Sequence, residues 1–297
     1  MTKIETNIAM KKYKLQLLLA ASIFGTVGIF VKFCSVPSSF ISMTRGLIGA
    51  AFILIAILLK NKVDKDAIKR NLFKLIMAGI AMGFNWILLF ESYKYVTVAV
   101  ATLCYYLQPV FLTISAPIIL KETIDKKKLI CIFAALVGMG FVSGVFGIGN
   151  KYNPIGILLG VGSAILYTIV VLFNKKLVNI DSKESTMTEL LSAGLVMIPY
   201  YFLTGGVAET HLNVTTVIML VIIAFIITGF TYVIYFDSVK NLPAQTVAIF
   251  GYLDPVVAII LSSLLLKEPF GINAAIGAIL ILGSTLISEL EIGKGKK

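Results

Sequence analysis

Apolar and polar positions alternate along this chain in long blocks. Ten apolar runs cover 14–34, 40–59, 72–93, 97–120, 128–146, 154–174, 186–203, 215–236, 243–266 and 272–289, with mostly short polar connections between them. A helix needs about 20 residues to cross the roughly 30 Å hydrocarbon core of a bilayer. Each run has about that length, so the pattern predicts an all-α membrane protein with ten transmembrane helices. No polar stretch is long enough for a separate soluble domain. The first run follows a basic segment but lacks a small-residue cleavage site, and it reads as a span, not a removable leader.

Composition agrees with lipid as the solvent. Only 14% of the 297 residues are charged and 58% are hydrophobic, where a soluble domain carries about 25% charged residues. The formal net charge of +11 is explained by its placement. With the N-terminus in the cytoplasm, 21 of the 26 Lys and Arg residues fall on the cytoplasmic side. Lys32, Lys94, Lys151 and Lys267 are external, and Arg45 lies inside a span. The distribution follows the positive-inside rule and predicts a multi-pass protein of the cytoplasmic membrane with both termini cytoplasmic. The basic excess meets anionic lipid headgroups, and no nucleic-acid partner is expected.

The chain repeats itself. At a shift of 146, residues 76–122 align without a gap on 222–268, and 16 of 47 positions are identical. The matches include Gly83/Gly229, Phe84/Phe230, Phe90/Phe236, Ser92/Ser238 and Lys94/Lys240. Tyr106-Leu107-Gln108-Pro109-Val110 lies on Tyr252-Leu253-Asp254-Pro255-Val256, and Lys121-Glu122 lies on Lys267-Glu268. The earlier helices align more weakly, placing Phe24 on Tyr167, Lys32 on Lys175 and Arg45 on Glu189. Two repeats follow, 1–146 and 147–297. Each holds five spans, and because five is odd the second enters the membrane inverted. Inverted repeats give secondary transporters two exchangeable conformations around a midplane site. The expected fold is therefore two inverted five-helix repeats around a central cavity.

The fourth span of each half, with its mid-helix proline and terminal Lys-Glu at 106–122 and 252–268, resembles the EamA family of the drug/metabolite transporter superfamily. The segment Phe90-Glu91-Ser92-Tyr93-Lys94-Tyr95 is similar to the family's stretch before that helix, with Glu91 where alanine is commoner. The resemblance covers nearly the whole chain. It implies a helix basket whose cavity is lined by the first, third and fourth helices of each half, with the fifth and tenth spans at the periphery. It leaves the substrate open, since the family includes exporters of amino acids and of other metabolites.

Polar residues inside spans are the site candidates, because a carboxylate at mid-bilayer costs about 2.5–3.5 kcal/mol on insertion scales. Asp254 is the first choice, for proton coupling or for a substrate amine, with Gln108 as its repeat counterpart. Arg45 suits a carboxylate or phosphate, with snorkelling or a loop partner as the structural alternative. Glu91 and Asp237 are equivalent positions at span ends, candidates for gating or for helix-end salt bridges. Asn85, Trp86, Tyr106, Thr231, Tyr232 and Tyr252 form repeat pairs whose aromatic bodies and polar tips suit an amphipathic solute. Pro109 and Pro255 are expected to kink their helices and free a carbonyl beside the cavity. Gly25, Gly28, Gly83, Gly138 and Gly229 are expected to permit close helix contact.

Other chemistries find no support. Cys34, Cys104 and Cys131 are scattered, His211 stands alone in a loop, and no metal-ligand spacing exists, so no metal or cofactor is expected. A nucleotide-binding GxxxxGK[ST] loop is absent, which excludes direct ATP drive, and no nucleophile–base constellation marks an enzyme. The sequence reads as a secondary exporter of small metabolites such as amino acids, with protons as a possible coupling ion. Nucleotide sugars, drug-like cations and a non-transporting sensor are the alternatives. It gives neither the substrate nor the oligomeric state.

Overall fold

Backbone groups in hydrocarbon have no water to bond, so a spanning segment must satisfy its own N–H and C=O groups. The computed structural model describes residues 3–59, 63–119, 126–142, 152–242, 250–251 and 253–289, and every regular element among them is helical. These elements are α1 (Lys3–Phe24), α2 (Val27–Lys32), α3 (Ser38–Leu58), α4 (Lys65–Ser92), α5 (Val98–Tyr105), α6 (Gln108–Ile119) and α7 (Lys126–Val142). Then come α8 (Pro154–Asn174), α9 (Ser182–Leu203), α10 (Gly206–Glu209), α11 (Val214–Val221), a π-helical stretch (Ile222–Phe230), α12 (Thr231–Asn241), α13 (Leu253–Leu265) and α14 (Ile272–Glu289).

Helix starts carry their caps in the sequence. The side chain of Asp64 accepts from the Ala67 N–H at 2.9 Å, Asn213 caps Thr216 at 2.8 Å, and Asn153 caps α8 just ahead of Pro154. Among the described residues seven helical stretches are long and apolar enough to cross a bilayer: Met10–Lys32, Ser38–Leu58, Lys65–Ser92, Val98–Ser115, Pro154–Asn174, Ser182–Leu203 and Val214–Ser238. Three shorter apolar helices, Leu129–Val142, Leu253–Leu265 and Ile272–Ser284, occupy the fifth, ninth and tenth expected runs. Large side chains stand exposed on the outer faces, among them Phe73, Phe133, Leu158, Leu264 and Ile279. Such a coat suits lipid and not water. This is a multi-pass membrane protein.

One expectation needs correction. The fourth run is not one kinked helix but two, α5 and α6, parted at Tyr106–Leu107. Pro109 is the second residue of α6 and Pro255 the third of α13. Both occupy a first helical turn, where no intrahelical N–H bond is lost. The sequence also gave no sign of the π-helical stretch. There the hydroxyls of Thr228 and Thr231 donate five residues back, to the carbonyls of Ile223 at 2.8 Å and Ile226 at 2.7 Å.

The packing brings α3 onto α9, α4 onto both α8 and α9, α7 onto α14, and α1 onto α12, while α5 meets α8 and α13 meets α1 and α5. At the α3–α9 crossing a Cβ added to Gly46 would stand 2.6 Å from the Gly194 nitrogen, so glycine allows backbone to touch backbone. Buried polar ties fix the other contacts. Asn71 on α4 bonds both backbone groups of Val178, and the Asn85 amide donates to the Ser163 carbonyl at 2.6 Å.

Candidate functional site

The helices enclose a central cavity of about 240 Å³. Its wall is drawn from α1 and α2 (Phe24, Gly25, Gly28), α3 (Arg45), α4 (Asn85, Trp86) and the α5–α6 break (Thr102, Tyr105, Tyr106, Gln108, Pro109). Tyr93, at the end of α4, also lines it. Across from them stand Tyr167 on α8, Tyr232 and Tyr235 on α12, and Gly251 and Asp254 at the start of α13. None of the described lining residues comes from α7 or α14.

Arg45 is 6% exposed. Its Nε donates to the Thr228 hydroxyl at 2.9 Å, and its guanidinium carbon sits 4.3 Å from the centre of the Trp86 ring. Tyr232 is a further hydrogen-bonding neighbour. The π-helical stretch is what turns Thr228 toward Arg45, since the Thr228 proton is spent on Ile223 and its oxygen is left to accept. Among the described residues Arg45 forms no ion pair, and its charge is met there by a hydroxyl and a ring face.

Asp254 faces the same space from the opposite helix. The Tyr106 hydroxyl reaches its carboxyl group and lies 3.3 Å from the Gly251 carbonyl oxygen. A Cβ on Gly25 would meet the Asp254 carbonyl oxygen at 2.5 Å, so the glycine at the α1–α2 break lets the start of α13 come this close. An Arg and an Asp thus share one small chamber without pairing, separated by aromatic surface. Phe24 packs on Tyr232 with ring centres 5.2 Å apart, and Tyr105 on Tyr167 at 5.4 Å.

Residues 11–144 and 154–289 each match the model of the EamA-like transporter family. The chain belongs to that family. Among its relatives are the uncharacterized transporter YxxF of Bacillus subtilis, 26% identical over 84% of this chain and 80% of that one, and an uncharacterized transporter of Archaeoglobus fulgidus, 27% identical over 87% and 90%. A second Bacillus subtilis transporter, YoaV, is 23% identical over 97% of this chain and its own full length. A solved crystal structure superposes with a TM-score of 0.66 at 17% identity, covering 93% of this chain and 96% of that one, and shares its fold.

In this EamA-like transporter the residues singled out from sequence divide into three groups. Arg45, Asn85, Trp86, Tyr106, Gln108, Pro109, Tyr232 and Asp254 all line the cavity. Thr231 does not, because its hydroxyl is turned back onto the Ile226 carbonyl inside the bundle. Pro255 is buried behind Asp254, and Asp237 stands two residues past the lining residue Tyr235, about 200° around α12 and outside the wall. Glu91 is also outside the wall, accepting from the Ser38 hydroxyl at 2.7 Å and pairing with Lys94 at 2.8 Å. That leaves Glu91 as a helix-end tie. Tyr252 falls outside the described residues.

Sequence reasoning missed Tyr93, Thr102, Tyr105, Tyr167 and Tyr235. Two signals were available. Tyr235 follows Tyr232 by three residues and so shares its helix face, and Tyr167 is the repeat counterpart of Phe24. Lys32 and Glu268 form an ion pair at 3.1 Å, and Glu268 also accepts from the Val98 N–H at 2.8 Å and the Ser262 hydroxyl at 2.6 Å. Three spans meet at that carboxylate.

Proposed function

We propose that the protein is a secondary transporter that exports small zwitterionic metabolites such as amino acids across the cytoplasmic membrane by alternating access. The observation that carries this is that Arg45 and Asp254 line one aromatic chamber and form no ion pair among the described residues. An α-carboxylate matches the Arg45 guanidinium, an α-ammonium matches Asp254, and an apolar side chain packs against Trp86 and the tyrosines. Nucleotide sugars would call for several cationic residues, and Arg45 is the cation among those lining the chamber.

Alternating access is read as the rocking of two inverted five-helix halves, 1–146 and 147–297, with ten spans and both termini cytoplasmic. Support comes from the helix contacts. Exchanging the halves turns α4 on α8 into α12 on α1, turns α5 on α8 into α13 on α1, and maps α3 on α9 and α7 on α14 onto themselves. The double family match at 11–144 and 154–289 points the same way. A carboxylate in the substrate chamber also suits transport coupled to protons.

The test is counterflow in proteoliposomes with a mixed amino-acid pool and a parallel nucleotide-sugar pool. Accelerated exchange of one or a few amino acids, lost in Asp254→Asn, is the expected result. Exchange confined to nucleotide sugars, or unaltered amino-acid exchange and proton dependence in Asp254→Asn, would overturn the assignment.

A further inference from the structure

A second carboxylate lies behind the chamber wall. Glu189 on α9 is 3% exposed, and its Oε1 has no hydrogen-bond partner among the described residues. Its other contact is with the side chain of Asn174, the last residue of α8. Burying an uncompensated carboxylate is costly, and the charge must be met by a proton or a visiting cation. The α3–α9 crossing is made by Gly46 and Gly194, and α4 presents Gly79 to the Glu189 carbonyl.

The surroundings link Glu189 to the site. Tyr167 from α8 and Tyr232 from α12, both cavity residues, lie within electrostatic reach of Glu189 and of Asp254 alike. Arg45 reaches Tyr232 and Asp254 from α3. Among the described residues the buried set is thus one cation and two carboxylates, with Tyr167 and Tyr232 lying near both carboxylates. Fully ionised it carries one excess negative charge, and one proton brings it to neutrality. On the far side, Asn174 is half-buried and the exposed Lys175 and Lys176 follow it. Glu189 therefore stands between the chamber and a polar helix end.

We infer that Glu189 is a proton-binding site of the transport cycle, distinct from the substrate site at Asp254, exchanging its proton with the cytoplasmic face past Asn174. The inference rests on the transport reading above. In the step itself the Glu189 carboxyl O–H bond breaks and the proton passes to water at the α8 end. The carboxylate left behind restores the excess negative charge, and that field favours the arrival of a substrate ammonium group at Asp254. Proton and substrate thereby occupy linked but separate carboxylates, and release of the one favours binding of the other.

Two measurements test this. In proteoliposomes, Glu189→Gln is expected to keep counterflow exchange while proton-gradient-driven accumulation falls to the level of the gradient-free control. Glu189→Asp, which withdraws the carboxyl by one methylene from Asn174, is expected to slow gradient-driven flux and spare counterflow, and it serves if the Gln variant does not fold. Wild-type gradient-driven accumulation in Glu189→Gln, or loss of counterflow in a folded variant, would overturn the proposal. Without any substrate, infrared difference spectra between acidic and alkaline buffer on the Asp254→Asn protein should retain a buried carboxylic C=O band. Adding Glu189→Gln should remove it, and absence of that band from the Asp254→Asn protein sinks the idea. A wild type that shows the Glu189 band but no amino-acid counterflow retires the substrate assignment and leaves the proton site standing.

Discussion

The Arg45 guanidinium lies over the Trp86 ring at 4.3 Å, and Trp86 is the sole tryptophan of the chain. A desolvated cation–π contact contributes about 2 kcal/mol, and the ring of Trp86 is part of the cavity wall. Intrinsic fluorescence therefore reads the chamber directly. A solute whose carboxylate draws Arg45 off the ring should change Trp86 emission in a saturable way, at concentrations matching its counterflow. A transported solute that leaves the emission untouched would show that it binds away from Arg45.

Thr228 holds the other side of Arg45 at 2.9 Å. Thr228→Val leaves a buried charged N–H without its acceptor and should cost about 1–3 kcal/mol. Thr228→Ser keeps the oxygen and should recover most of that loss. Thermal unfolding in detergent separates the two, and equal melting of Val and Ser variants would mean that the bond carries nothing.

Gly46 is where α3 and α9 touch. Its alanine variant would put a methyl 2.6–2.8 Å from the backbone of Gly194 and the Leu190 carbonyl. Neither backbone can give way, so overpacking should destabilise by about 1–3 kcal/mol. Gly283 on α14 has nothing within 4 Å of the same methyl, and Gly283→Ala should be neutral or stabilising by up to about 1 kcal/mol through helix propensity. Unfolding midpoints of the two variants should therefore move in different directions.

Glu268 joins Lys32, the Val98 N–H at the start of α5 and Ser262. Glu268→Ala leaves that helix-terminal N–H without an acceptor and should cost about 1–3 kcal/mol. Glu268→Gln keeps a neutral acceptor and loses only the charge, so its loss should be smaller. Raised salt should narrow the gap between wild type and Glu268→Gln, since the ion pair is partly exposed. A gap that salt leaves unchanged would assign the whole effect to hydrogen bonding.

Much of this protein could be read from the order of its residues. Hydrocarbon imposes helices on long apolar runs, and Asp64, Asn153 and Asn213 mark helix starts with caps that act within three residues. The repeat at 76–122 and 222–268 was legible because shared Pro, Lys, Glu and Tyr at one shift do not arise from membrane composition. Arg45 and Asp254 stood out because charge inside a span is expensive wherever it points.

What the sequence determined by itself, then, was the helical class, the membrane and the charged residues worth watching. These follow from local length, periodicity and solvation cost. Tertiary structure alone decided that Thr231 turns into the bundle while Tyr232 faces the cavity, that Glu91 ends up on Ser38, and that Lys32 meets Glu268 across 236 positions. It also decided that Thr228 meets Arg45 through a π-helical stretch and that Glu189 is buried with an oxygen that has no partner among the described residues. The reason is physical. A helix has several faces, and which of them meets a neighbour, a cavity or lipid is set by where other helices cross it. That is a property of packing between residues far apart in the chain.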